Sequence, residues 1–190
     1  MRCLVLDAMG VIFSAADDVA ELLVPFVHGS GGDASRVDSA YLEASVGAID
    51  ADEFWRRVGL DASVEDAYLA AHSLVPGARE FIARASEAGT PVWCLSNDVA
   101  RWSRKLRATF GIEPLLAGAV ISSDVRVRKP DPTIYRRFLE RSGHRAADVL
   151  FVDDQQRNVD AASTLGIRSR RFSRTYGYEQ LVAELEFVDR

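Results

Sequence analysis

The chain opens with a short apolar run that ends in an acid. Residues 2–7 read RCLVLD, and such nearly continuous apolar residues are typical of a strand buried on both faces of a parallel sheet. Apolar positions three and four apart then recur through residues 14–75, a pattern that predicts helices and no strand. These predicted helices cover 16–27, 38–47, 50–59 and 63–74.

From residue 76 onward the pattern alternates between helices and strands. The predicted strands cover 90–98, 116–124, 148–154 and 167–172. The predicted helices cover 76–89, 99–111, 129–143, 155–166 and 178–186. Such alternation predicts an α/β fold with a doubly wound parallel sheet. We expect residues 1–13 and 76–190 to form this core, and residues 14–75 to form a small all-helical domain inserted after the first strand.

The composition is typical of a globular protein. Of the 190 residues, 48% are hydrophobic and 27% are charged. No apolar stretch approaches the roughly 18 residues that cross a bilayer, and Asp7 interrupts the N-terminal apolar run, so neither a membrane span nor a signal peptide is indicated. Cys3 and Cys94 lie in predicted buried strands, which argues against a disulfide framework or a zinc site. We therefore expect a cytoplasmic protein with no membrane partner.

The negative charge is concentrated in residues 14–75. This stretch holds twelve acidic residues and three arginines, a net charge of −9, against −5 for the whole chain. Because a negative surface repels extended polyanions, no nucleic-acid partner is expected. Side chains here that could line a cleft are Phe13, His28, Tyr41, Phe54 and Trp55, although aromatic residues at helical spacing more often belong to a core. The sequence does not indicate an oligomeric state.

Polar side chains follow three of the predicted strands where each strand ends. They are Asp7, then Ser96, Asn97 and Asp98, then Asp153 and Asp154, and Lys129 lies in a loop before a helix. In open α/β sheets, ligands bind outside the carboxyl ends of the strands, where the strand order reverses. Acids from two strand ends can hold Mg²⁺, while a hydroxyl group and backbone N–H groups can bind phosphate oxygens. The spacing therefore points to a site for a cation and an anion.

Four stretches of the chain resemble the motifs of the haloacid dehalogenase (HAD) superfamily. They read LVLDAMGV at 4–11, LSN at 95–97, RKPDPTIY at 128–135 and FVDDQQRNVDAA at 151–162. The resemblance covers nearly the whole chain, and the helices of 14–75 are similar to the cap that one subgroup carries after its first strand. It implies a HAD-like Rossmannoid core and a Mg²⁺-dependent phosphohydrolase or phosphotransferase for a small phosphorylated metabolite.

The resemblance also implies a role for each polar residue. Asp7 would attack phosphorus and become a transient aspartyl phosphate, which is covalent catalysis by a carboxylate. Ser96, Asn97 and Lys129 would bind the phosphoryl group. The cofactor Mg²⁺ would be held by Asp7, the backbone carbonyl of Met9 and Asp154, with Asp153 behind them or bound through water.

One position departs from the family pattern. Phosphatases of the superfamily carry a second Asp two residues after the nucleophile, which protonates the leaving group and later activates water, but this chain has Met9 there. Losing such an acid–base group typically costs roughly 10²- to 10⁴-fold in rate. Asp98, Asp17, Asp18 or a water molecule could replace it.

Two other interpretations remain open beside a phosphatase that tolerates Met9. The dehalogenases of the superfamily also lack the second Asp, but they need no metal and do not keep an acidic pair such as Asp153 and Asp154. A catalytically impaired or inactive protein that binds a phosphorylated ligand is the other possibility. Retention of Asp7, Ser96 and Lys129 favours a working enzyme.

Overall fold

A computed structural model of the chain describes residues 3–179 and 181–182. These residues form one parallel sheet of five strands in the order β3-β2-β1-β4-β5. The strands are β1 (Cys3–Leu6), β2 (Val92–Ser96), β3 (Gly118–Ile121), β4 (Val149–Asp153) and β5 (Arg168–Arg171). The prediction of a doubly wound parallel α/β fold is therefore confirmed.

The strand order reverses between β1 and β4, the two strands that carry the acidic ends. In register, Leu4 of β1 lies between Val92 of β2 and Leu150 of β4. The four residues of β1 are all buried, as the continuous apolar pattern predicts for a central strand. Directly after it, the N–H of Asp7 donates a hydrogen bond of 2.9 Å to the carbonyl of Val152. The acidic ends of β1 and β4 are thus adjacent at the reversal point.

Helices cover both faces of the sheet and fill the segment between β1 and β2. They are α1 (Val24–Gly29), α2 (Val37–Ser45), α3 (Ala51–Arg57), α4 (Glu65–Leu69), α5 (Ala78–Glu87), α6 (Ala100–Thr109), α7 (Ser122–Val125), α8 (Pro132–Ser142) and α9 (Gln156–Ser163). A π-helical turn, Val19–Leu23, leads into α1. Helix α8 begins as its sequence predicts, because the Asp131 carboxylate accepts the Thr133 N–H at 2.8 Å and Pro132 occupies the first turn.

One predicted strand is longer than the strand in the structure. The strand predicted over 116–124 ends at Ile121, because Ser122, Ser123 and Asp124 begin the short helix α7 instead. Polar residues after an apolar run fit a strand end as well as a helix start, and periodicity alone does not separate the two. The final helix predicted over 178–186 falls largely outside the described residues.

We refer to residues 14–75 as the helical insert. Its described helices pack their aromatic residues against helix α6 of the α/β part. The rings of Phe54, Trp55 and Tyr68 lie 5.0, 5.4 and 5.3 Å from the ring of Trp102, measured between centroids. These residues belong to the same hydrophobic cluster as the central strand residues Leu4 and Leu6. The insert and the sheet therefore share one apolar core.

A buried carboxylate joins the same two parts. Glu65 of α4 accepts hydrogen bonds from the indole N–H of Trp55 at 3.2 Å and of Trp102 at 2.7 Å. Arg101 and Lys105 of α6 add ion pairs of 2.5 and 2.9 Å. Burial opposes ionisation of Glu65, but these donors outweigh it and lower its pKa. The charged form of Glu65 thus binds the helical insert to α6.

Both cysteines are buried and free of disulfides, as predicted. Burial raises the pKa of Cys94 to about 12, so its thiol is neutral. Within the described part of the chain, no helix is long and apolar enough to span a membrane.

Candidate active site

A cavity of about 260 Å³ opens at the carboxyl edge of the sheet, where the strand order reverses. Residues from four distant stretches of sequence line it, among them Asp7, Ser96, Asn97, Lys129 and Asp154. Strand ends of a parallel sheet converge at one edge, which is why stretches so far apart in sequence meet here. Five of the predicted polar residues therefore surround one space, whereas Asp98 and Asp153 are not part of its wall.

Asp7 is almost fully buried at the floor of this cavity. One carboxylate oxygen, Oδ1, accepts a 2.6 Å hydrogen bond from the N–H of Ala8 and lies 2.7 Å from Nζ of Lys129. Burial and the neighbouring Asp153 raise the pKa of Asp7 above its ordinary value, against the opposing effect of Lys129. The lysine ammonium is thus a main source of compensation for the negative charge of this carboxylate.

Asp153 is fully enclosed behind Asp7. Its carboxylate pairs with Nζ of Lys129 at 2.7 Å and accepts hydrogen bonds from the N–H of Gln155 at 2.8 Å and from Nδ2 of Asn158 at 3.0 Å. Although burial favours the neutral acid, Lys129 and these donors lower the pKa of Asp153. Both of its oxygens are engaged, which fits a position behind the ligands that contact a cation directly.

Asp154 completes a group of three carboxylates. One oxygen each from Asp7, Asp153 and Asp154 lies within 4.8 Å of the others. Burial and Asp153 raise the pKa of Asp154. Several carboxylates so close together repel one another unless a cation compensates them, and hard oxygen ligands suit Mg²⁺. The donor set of these residues fits a divalent cation.

Ser96 and Asn97 lie at the carboxyl end of β2, the strand that flanks β1 on the side away from β4. The hydroxyl oxygen of Ser96 is buried and has no hydrogen-bond partner within the described structure. Both ends of the Asn97 side-chain amide are engaged, because Nδ2 donates to the carbonyl of Lys129 at 2.9 Å and Oδ1 accepts the N–H of Lys129 at 2.7 Å. Asn97 therefore positions the lysine loop, while Ser96 keeps an unused hydroxyl beside Asp7.

The three acids named as substitutes for the missing one lie in different places. Asp17 and Asp18 line the cavity, Asp17 exposed and Asp18 buried. Asp98 is buried outside the cavity wall, where Oδ1 accepts the N–H of Val99 at 2.6 Å. Met9 itself lines the cavity and is buried.

Of the five residues proposed to line a cleft, Tyr41 does so. Its hydroxyl donates to the carbonyl of Asn97 at 3.1 Å. Phe13, Phe54 and Trp55 belong to the hydrophobic core, and His28 is exposed on α1. The preference of regularly spaced aromatic residues for the core explains these positions.

Sequence reasoning missed two cavity-lining arginines, Arg128 and Arg157. Arg128 donates to the hydroxyl of Ser45, and its guanidinium lies 5.6 Å from the centre of the Tyr41 ring. Its place beside Lys129 in the third motif was the signal that could have found it. Arg157 lies in the first turn of α9, within the fourth motif stretch at 151–162, which was the corresponding signal.

Comparisons with known proteins place the sequence in a family. Residues 1–166 match the haloacid dehalogenase-like hydrolase family. A phosphoglycolate phosphatase of Pectobacterium atrosepticum is 32% identical over 100 residues, which are 53% of this chain and 42% of the relative. A phosphoserine phosphatase of Thermus thermophilus is 29% identical over 99 residues, 52% of this chain and 40% of the relative. The chain thus aligns with less than half of each of these curated relatives.

Solved structures share the fold along nearly the whole chain. A HAD family enzyme of Bacteroides thetaiotaomicron, crystallised with magnesium and inorganic phosphate, has a TM-score of 0.80 at 18% identity and covers 95% of this chain and 98% of its own. An L-2-haloacid dehalogenase of Xanthobacter autotrophicus has a TM-score of 0.64 at 21% identity and covers 90% of this chain and 77% of its own. At these identities the likeness shows the fold.

Proposed function

Since the chain belongs to the haloacid dehalogenase-like hydrolases, we propose that it is a Mg²⁺-dependent phosphohydrolase or phosphotransferase acting on a small phosphorylated metabolite. One structural observation supports this proposal more strongly than the others do. The buried carboxylate of Asp7 follows the central strand β1; the neighbouring strand β4 leads to further acids suited to a cation, and the neighbouring strand β2 ends in Ser96, whose unpartnered hydroxyl suits an anion. Enzymes that displace halide from an uncharged carbon have no use for the acidic pair Asp153 and Asp154.

In this proposal Asp7 is the nucleophile. Its carboxylate oxygen forms a bond to phosphorus while the bond to the leaving oxygen breaks, and water later hydrolyses the aspartyl phosphate. The hydroxyl of Ser96 and the ammonium of Lys129 stabilise charge on the phosphoryl oxygens, as fixed donors do in a site from which water is excluded. Asn97 keeps Lys129 in place through the two backbone hydrogen bonds described above.

Mg²⁺ would be held by Asp7, the backbone carbonyl of Met9 and Asp154, with Asp153 behind them. When bound, the ion offsets the negative charge shared by nucleophile and phosphoryl group. Asp153 contributes by orienting Lys129, whose ammonium bridges it and Asp7 at 2.7 Å each.

The helical insert acts as a cap over the site in this proposal. Tyr41, Arg128 and the residues 16–19 bring the insert and the adjoining loop to the cavity wall. A volume of about 260 Å³ suits a small metabolite, and the acidic insert disfavours polyanions. The curated relatives, named for phosphoglycolate and phosphoserine, support a small substrate.

The test is turnover of a panel of small phosphate monoesters and p-nitrophenyl phosphate by the purified chain, with Mg²⁺ and with chelator. We expect phosphate release that needs Mg²⁺ and is lost in Asp7→Asn, a variant close to wild type in shape. Phosphate binding without turnover of any substrate would favour the inactive binding protein. Release of halide from 2-haloacids without metal would favour a dehalogenase-type displacement.

A further inference from the structure

The proposed reaction needs a proton donor that the first motif does not supply. Met9 occupies the position of the usual acid and carries no ionisable proton. An alkoxide is a poor leaving group, and a positioned acid typically contributes roughly 10²- to 10⁴-fold to such a step. For alkyl phosphates, an acidic residue elsewhere on the same cavity wall would supply this proton.

We propose that Asp18, at the start of the helical insert, is the general acid and base of this site. The inference rests on the proposed phosphoryl transfer and names the residue that completes it. Asp18 lines the cavity together with Asp7 and Met9, and it is only 6% exposed to solvent.

The turn after β1 carries Asp18 back towards the nucleophile. The N–H of Gly10 donates to the carbonyls of Phe13 and Ala15, at 2.9 and 2.8 Å, so that residues 10–15 fold into a closed loop. Immediately beyond, Oε1 of Glu21 accepts the N–H groups of Ala16 and Asp17, each at 3.0 Å. These bonds hold the backbone on the N-terminal side of Asp18 in one conformation.

The two other acids suit the role less well. Asp17 is exposed, and its Oδ1 accepts the N–H of Ala20 at 3.1 Å, which is an N-terminal helix contact. Asp98 does not line the cavity. Of the three acids, Asp18 alone is both buried and part of the cavity wall.

The surroundings of Asp18 give its carboxyl group a pKa at which it can both donate and accept a proton. Burial, followed by the negative charge of Asp17, raises the pKa of Asp18 to about 6, and a 3.4 Å hydrogen bond from the Tyr68 hydroxyl opposes this rise. The other titratable groups that interact with it are Tyr41 from α2 and Asp98 from the end of β2. A pKa near the working pH is the best compromise for a group that acts both as acid and as base.

Asp18 would take part in both steps of the proposed reaction, the formation of the aspartyl phosphate and its hydrolysis. In the first, Asp7 bonds to phosphorus, the bond from phosphorus to the substrate oxygen breaks, and protonated Asp18 gives that oxygen its proton to form an alcohol. In the second, the Asp18 carboxylate takes a proton from water as the water oxygen bonds to phosphorus. The bond between phosphorus and Asp7 breaks, and both aspartates return to their starting states.

Asp18→Asn removes the proton and keeps the shape, and the leaving group of the substrate tests the role. We expect kcat/KM for an alkyl phosphate to fall roughly 10²- to 10⁴-fold. For p-nitrophenyl phosphate, whose leaving group needs no proton, kcat/KM should fall less than about tenfold. The control is Asp38→Asn, the same change at an exposed acid of the insert that does not line the cavity, which should leave the alkyl-to-aryl ratio unchanged.

Two further readouts separate catalysis from folding. The variant Met9→Asp places an acid at the family position, so Met9→Asp combined with Asp18→Asn should regain alkyl phosphate turnover. In wild type, kcat/KM for the alkyl phosphate should fall as pH rises through the pKa of Asp18, because only the protonated form donates. Tyr68→Phe removes a hydrogen bond that lowers the pKa of Asp18. The decline of kcat/KM should therefore move to higher pH in this variant.

An unchanged alkyl-to-aryl ratio in Asp18→Asn overturns the assignment of Asp18 while leaving the proposed function intact. So does an unaltered pH profile in both Asp18→Asn and Tyr68→Phe. Failure of wild type to turn over any phosphate, p-nitrophenyl phosphate included, is a different result and overturns the proposed function together with this inference.

Discussion

Gly10 lies so close to Asp154 that a Cβ atom at the glycine would meet Oδ2 at 2.5 Å and Cγ at 2.6 Å. The backbone at Gly10 also has φ of +74°, in the left-handed region that glycine adopts at little cost. The turn after the proposed nucleophile therefore needs glycine to let Asp154, the residue directly after β4, approach it.

Gly10→Ala should displace Asp154 and weaken Mg²⁺ binding. Loss of support for a metal ligand typically costs 10- to 100-fold in affinity, so we expect the Mg²⁺ concentration for half-maximal turnover to rise by about that factor. Gly143→Ala is the matched control, since Gly143 has φ of +70° and no atom within 4 Å of the added Cβ. An unchanged Mg²⁺ requirement in Gly10→Ala would count against Asp154 as a ligand.

Ser96→Ala should separate activity from stability. Its hydroxyl is buried without a partner, and removing an unpaired buried polar group is neutral or stabilising. As a donor to the phosphoryl oxygens it would contribute roughly 10²- to 10³-fold to kcat. We expect kcat to fall by about that factor while the urea midpoint stays the same or rises.

Ser103→Ala provides the opposite pattern. Ser103 is as deeply buried as Ser96, but its hydroxyl accepts a hydrogen bond of 2.5 Å from Arg107. Its removal should lower the free energy of unfolding by roughly 1.5–3 kcal/mol, the range for hydrogen bonds to charged groups, with kcat retained. If both serine variants lose stability equally and keep kcat, Ser96 has only a structural role.

Glu65→Gln should weaken the contact between the helical insert and α6. The variant loses its charge-assisted bonds to Arg101 and Lys105, and we expect the free energy of unfolding to fall by roughly 1.5–3 kcal/mol at neutral pH. The control Glu140→Gln breaks an exposed pair with Arg137 and should change it by less than about 1 kcal/mol. Urea denaturation measures both.

The effect of Glu65 should also depend on pH in one direction. Because the folded state lowers its pKa, the stabilisation is fully present above the pKa of an unfolded glutamate, about 4.3, and is lost as pH falls through the lower folded value. The difference between wild type and Glu65→Gln should therefore shrink on acidification. A difference that stays constant down to about pH 3 would contradict the lowered pKa.

The sheet and its polar edge were predictable because their signals are local. The apolar run before Asp7 and the acids after β4 identify buried strands with functional ends, and parallel strands bring such ends together. The boundary at Ile121 was not predictable, since Ser122 can end a strand or begin a helix equally well.

The contacts that depend on three-dimensional packing could not be predicted. From the sequence, Glu65 is indistinguishable from an exposed acid on the surface of its helix. It is nevertheless buried, because two tryptophans from separate helices, Trp55 and Trp102, pack around it and donate hydrogen bonds to it. Arg157 falls within the fourth motif stretch, but that its side chain reaches the cavity wall depends on where α9 starts at the sheet edge. Likewise, Asp18 differs from Asp17 in burial, which neighbouring positions in a sequence do not reveal.

Trapping of the phosphorylated enzyme tests the central claim most directly. The chain is mixed with Mg²⁺ and a substrate that it hydrolyses, quenched with acid during a single turnover, digested and analysed by mass spectrometry. The account predicts a phosphoryl group on Asp7 that appears before phosphate is released and is absent in Asp7→Asn. Release of phosphate with Asp7 unmodified throughout, or with the phosphoryl group on another residue, would contradict it.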